Sequence, residues 1–178
     1  MKRLALSLAI LLSGCAENAI LELTLELPPA ADVGRADATH VVVDVATDGS
    51  EEVPPDSAFP LSGAFRAAAA DAPNRVPVSL VAGGERLEAP LWVRVRYCGA
   101  PDCAAIGDDA PPTAYVRIDR PFWLGQVSEA TAALPGPWDD PEVARLAKCD
   151  VRACADPRFT SGEPTCTGDG RHWCEGIP

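Results

Sequence analysis

Hydrophobic positions recur with a period of two along most of the chain. Leu21, Leu23, Leu25 and Leu27 alternate with Glu22, Thr24 and Glu26, the signature of a strand with one buried face. The same alternation returns at Val41, Val43 and Val45, at Val76, Val78 and Leu80, at Leu91, Val93, Val95 and Tyr97, and at Val116 and Ile118. Two weaker candidates, Ala58 to Arg66 and Gln126 to Leu134, bring the predicted strands to seven, separated by turns rich in Pro, Gly and Asp. No long stretch has the 3.6-residue period of an amphipathic helix. Seven short strands predict an all-β fold, an antiparallel β-sandwich of immunoglobulin-like or fibronectin-like type.

Strand alternation also sorts the polar residues. With Leu91, Val93, Val95 and Tyr97 turned inward, Trp92, Arg94, Arg96 and Cys98 fall on the opposite face, joined there by Arg117 and Asp119. That stripe is expected to be a solvated sheet face; the competing reading is a site for an acidic ligand. Cys98 on the outer face does not cross the core as the inter-sheet disulfide of antibody domains does. The loops Thr47 to Ser57 and Gly99 to Thr113 are acidic, but neither has the D-x-D-x-D-G spacing of a calcium loop, so both are expected to be solvated.

Past Pro135 the alternation stops. Asp140, Pro141 and Glu142 ahead of VARLAKC combine a cap, a proline and an acid in a first turn, which predicts one short helix ending near Lys148. The remaining tail holds four of the seven cysteines, Cys149, Cys154, Cys166 and Cys174. His172 with Asp169 and the neighbouring cysteines does not show paired C-x-x-C spacing, so no metal site is assigned. Trp138 and Trp173 are expected to cover disulfides, with sugar stacking as the alternative.

The first residues follow a different plan. Lys2 and Arg3 precede the apolar run Leu4 to Leu12, too short to span a bilayer, which then gives way to small residues and a cysteine. The sequence Leu12-Ser13-Gly14-Cys15 resembles the lipobox of bacterial lipoproteins. Beyond that motif the chain resembles the uncharacterised predicted lipoproteins of Gram-negative bacteria, a likeness that carries no site residue. The resemblance implies cleavage before Cys15 and lipidation of its thiol. Each buried CH₂ contributes about 0.8 kcal/mol, so two or three acyl chains hold firmly where one binds reversibly. The absence of Asp after Cys15 favours, by resemblance to sorting rules, the outer membrane as the site in the cell envelope.

The expected organisation is therefore a signal peptide over 1–14, a lipidated tether over 15–19, a β-sandwich over 20–134 and a Cys-rich appendage over 135–178. Cleavage removes Lys2 and Arg3 and no acid, so 15 basic residues become 13 against 26 acidic ones, and the net charge moves from −11 to −13. So acidic a domain repels nucleic-acid phosphates, and no nucleic-acid partner is expected. Assigning Cys15 to lipid leaves Cys98, Cys103, Cys149, Cys154, Cys166 and Cys174, an even six. In an oxidising compartment these are expected to form three disulfides, with close spacing suggesting local pairs, although six cysteines allow about 15 connectivities.

Two histidines, His40 and His172, and the absence of G-x-S-x-G, H-E-x-x-H and phosphate-loop motifs argue against catalysis, and no catalytic residue or cofactor is assigned. The chemistry that remains is that of a membrane-anchored binding or assembly module. Its partners would be the lipid bilayer, through Cys15, and another envelope protein. A structural or adhesive, glycan-facing envelope protein is the alternative, and an envelope hydrolase the third reading.

Overall fold

The computed structural model describes residues 18–50, 52–59, 61–83, 89–103, 110–122, 125, 127–134, 136–138, 145–150 and 172–176. Nine strands run in chain order as β1 (Ala19–Leu27), β2 (His40–Thr47), β3 (Leu61–Arg66), β4 (Asn74–Ala82), β5 (Leu91–Cys98), β6 (Thr113–Asp119), β7 (Val127–Ala133), β8 (Arg145–Asp150) and β9 (His172–Gly176). All seven predicted strands are present among them. Two facing sheets form an all-β sandwich, β4-β1-β7 on one side and β3-β2-β5-β6 on the other.

The alternating residues explain why the sheets pack. Leu21, Leu23, Leu25 and Leu27 of β1 face Val41, Val43, Leu91, Val93, Val95 and Tyr97 of the second sheet in one continuous apolar core. Burying such a side chain contributes about 1.5 to 3 kcal/mol, so β1 alone supplies a large part of the drive that brings the sheets together. Tyr97 adds a polar clasp through this core: its hydroxyl donates to the Pro28 carbonyl at the end of β1 and accepts from Asn74 Nδ2 at the start of β4, 3.0 Å away. Asn74 Oδ1 in turn accepts from the Ala68 amide at 2.7 Å, and the Trp138 ring lies 5.4 Å from that of Tyr97.

Two features depart from the expected order. The ladders β1·β4, β2·β3, β2·β5 and β5·β6 are antiparallel, but β7 runs parallel to β1, β8 to β6 and β9 to β7. Residues 145–148, predicted as the end of a helix, are instead strand β8. Arg, Leu, Ala and Lys all favour a helix locally, but β6 offers an unpaired row of backbone donors and acceptors that a strand there satisfies. The start of that predicted helix, residues 139–144, lies outside the described residues. β8 and β9 pair antiparallel with each other, so strands from the region expected as a Cys-rich appendage link the two sheets along one side. Among the described residues the opposite side stays open, with β3 and β4 as the edge strands.

Cys98 and Cys103 form a disulfide with their Cα atoms 5.2 Å apart, the local pair that the spacing suggested. Residues 1–14, Cys15, Cys154, Cys166 and Asp169 lie outside the described residues. Among the described residues no helix is long and apolar enough to cross a membrane.

Candidate functional site

The outward face of β2, β5 and β6 carries the densest group of charged side chains among the described residues. Register builds it: Asp44 stands opposite Arg94, which stands opposite Tyr115, and in the adjacent row Ala46 stands opposite Trp92, which stands opposite Arg117. Much of the stripe expected to be solvated is buried, while Arg96 and Asp119 are half-buried. Asp44 is 2% exposed and Arg94 and Arg117 are each 7% exposed, while Trp92 is fully covered.

The cover is the segment between β2 and β3, whose described residues 48–50 and 52–59 fold back over the sheet. Its Ser50 carbonyl accepts from Arg117 Nη1 at 2.6 Å and from Trp92 Nε1 at 3.3 Å. Asp56 accepts from Arg94 Nη1 at 2.6 Å. Phe59 sits beneath the Arg94 guanidinium at 4.5 Å and near the Tyr115 ring at 6.1 Å, forming a second apolar cluster with Ala46 and Trp92. Cation–π stacking of this kind gains strength when water is excluded. The loop from Thr47 to Ser57 is thus a flap with its own anchors. An exposed Trp92 on the open sheet would leave a large apolar surface in water, which is the physical reason the flap closes.

Within the cluster Asp44 Oδ2 accepts from Arg94 Nε at 2.9 Å and from Arg96 Nη2 at 2.7 Å. Arg117 Nε donates to Asp119 at 2.8 Å. Three guanidinium groups therefore meet three carboxylates, Asp44, Asp56 and Asp119, and the group as a whole carries no net charge to draw an anion. Arg96 Nε is buried with no hydrogen-bond partner, a donor that the shared Asp44 oxygen does not reach. Burial pushes the Tyr115 hydroxyl above its ordinary 10.0, with Arg94 and Arg96 opposing and Asp56 reinforcing the shift. The chemistry of this arrangement is that of a clamp, which fixes the flap on the sheet.

His40 opens β2 opposite Cys98 and exchanges a 2.9 Å hydrogen bond with Thr39 Oγ1, while His172 opens β9 next to β7. No three His, Cys, Asp or Glu residues gather into a metal-holding group among the described residues. The sequence placed Arg94, Arg96, Arg117 and Asp119 on one face correctly but missed their partners Asp44 and Asp56 and the aromatic floor of Phe59 and Tyr115. The available signal was Trp92 itself, an apolar residue in the middle of an outward charged set. The chain matches no protein-family model, no curated protein and no solved structure.

Proposed function

We propose that this chain is a bacterial lipoprotein of the cell envelope, held in the outer membrane by lipid on Cys15, whose β-sandwich is a non-catalytic binding or assembly module. The observation that carries the proposal is the ordered run of Lys2 and Arg3, the apolar Leu4 to Leu12 and the small residues before Cys15. Support for the module role comes from the open side of the sandwich. β4 is blunted as an edge by Pro77, which has no amide hydrogen to offer, whereas β3 pairs with β2 alone among the described residues and presents the backbone of residues 61–66 on its other side. An extended segment of another envelope protein can add to such an edge by main-chain hydrogen bonds.

The test is in-cell crosslinking in the native producer, comparing wild type with Cys15→Ala and identifying captured proteins by mass spectrometry. A lipid-modified Cys15 in the membrane fraction, together with one dominant partner lost in Cys15→Ala, is the expected result. A Cys15→Ala variant that keeps its mass and stays in the membrane defeats the anchor. The absence of any discrete partner favours the structural, glycan-facing role instead.

A further inference from the structure

The outward face of β4, β1 and β7 changes character along the strands. At the end where β1 begins, Ile20 pairs with Val81 on one side and Val127 on the other, forming one apolar row across three strands. Val81 is 62% exposed and Val127 61%, with Ile20 half-buried between them. The next outward row holds Glu22 with Ser79 and Glu129, and Ser79 Oγ donates to Glu22 at 2.7 Å. Farther along come Thr24 beside Pro77, then Glu26 with Arg75 4.0 Å away. Along this face the apolar row stands at one end and the carboxylates begin two residues on.

Singly exposed valines are ordinary on a protein surface, so exposure alone explains nothing. Position does. Ile20 lies five positions after Cys15, and a fully extended chain of that length spans at most about 18 Å. A nine-residue strand such as β1 is about 30 Å long, so a lipid on Cys15 keeps the beginning of β1, and not its far end, within reach of the bilayer.

We propose that the Val81, Ile20 and Val127 row rests against the lipid surface that holds the Cys15 anchor, setting the sandwich with the start of β1 toward the bilayer. This inference rests on the lipoprotein reading given above. The row does not supply the affinity, which the acyl chains provide; it selects one orientation among those a short tether allows. Glu22 and Glu129 limit the depth, because a carboxylate loses its hydration on entering the acyl region. Lipid is the occupant favoured over a second copy because the tether brings lipid to this end and specifies no protein there.

The test uses the full-length lipidated protein in phosphatidylcholine vesicles, with the photoreactive residue p-benzoylphenylalanine replacing Val81, Val127, Arg75 or Pro77 in separate variants. Irradiation is expected to give several-fold more lipid adduct at 81 and 127 than at 75 and 77, while all four proteins float with the vesicles. Equal adduct at all four positions, or adduct at 81 and 127 only with a second copy of the chain, overturns the lipid apposition and leaves the anchor standing. A wild-type protein that lacks lipid mass on Cys15 and fails to float overturns the anchor, and the orientation with it.

Discussion

Asp44 is the residue on which the outer-face clamp converges, since one of its oxygens accepts from both Arg94 and Arg96. Replacing it by Asn keeps the shape but leaves the Arg96 guanidinium without its counter-charge beneath the flap and Arg94 with the exposed Asp56 alone. Breaking a buried ion pair from one side costs about 3 to 5 kcal/mol, so Asp44→Asn should lower the denaturation midpoint markedly. Replacing Asp44 together with both of its partners, Asp44→Leu with Arg94→Met and Arg96→Met, should recover most of that loss, because no buried charge is then left stranded and Asp56, the other carboxylate on Arg94, is exposed to water. Equal midpoints for the single variant and wild type in urea melts would show that the cluster contributes nothing. Tyr97 sets a second expectation at this scale. Burial raises its hydroxyl from 10.0 to about 12, with the Asn74 hydrogen bond opposing. The folded state therefore keeps a proton that the unfolded state releases, and the stability tied to it is whole below pH 10.0 and declines as pH rises toward about 12. Tyr97→Phe strands the Pro28 carbonyl and should cost about 1 to 3 kcal/mol near neutrality, while flattening that alkaline decline relative to wild type. Urea melts across the alkaline range, paired with ultraviolet tyrosinate titration, measure both.

At the scale of elements, the pairing of β8 with β9 makes an expectation that sequence spacing did not. The ladder sets Ala147 opposite Gly176 and Lys148 opposite Glu175, and continuing that antiparallel register by one step would bring Cys149 opposite Cys174. Directly opposed positions on antiparallel strands have Cα atoms about 4.5 to 5.5 Å apart, within the range a disulfide spans. Peptide mapping without reduction should therefore recover Cys149 linked to Cys174, with Cys154 and Cys166 left to pair. Recovery of Cys149 linked to Cys154 would show instead that local spacing governs the tail. The Cys98 to Cys103 loop did follow local spacing, because both cysteines flank one short turn after β5. The same contrast explains what was legible in the sequence. β1, β2, β4 and β5 could be read directly, since each alternates cleanly and the core needs every second residue. β8 could not, because RLAKCD carries helix-forming residues and its strand state comes from pairing with β6, which no local pattern encodes. The flap was misread for a related reason. Arg94 and Arg117 in alternation with Val and Ile look solvated until Asp44, Asp56 and the Ser50 carbonyl arrive from elsewhere in the chain.

For the whole molecule, the ladder from β3 to β4 passes through all nine strands, and β8 and β9 are the two that carry it from one sheet to the other. A sandwich in which residues 20–134 stood as a domain apart from a Cys-rich tail would be indifferent to losing that tail. The pairing predicts otherwise. Removing residues 135–178 strips β8 from β6 and β9 from β7, and it also takes away Trp138, which packs on Tyr97 in the core. Two interior strands then become open edges beside the existing edges β3 and β4. Unpaired edges recruit other chains, so the fragment should be both less stable and prone to associate. The comparison is between residues 15–134 and 15–178, each carrying Cys15→Ala so that no lipid enters, measured by thermal unfolding and by size-exclusion chromatography at several concentrations. A lower melting temperature together with concentration-dependent oligomers makes the tail an integral part of the sandwich. A monomeric fragment that melts with the longer chain makes it an appendage whose two strands add contacts without holding the fold. The first outcome also ties disulfide chemistry to folding, since Cys149 and Cys174 lie in β8 and β9, the strands that join the two sheets.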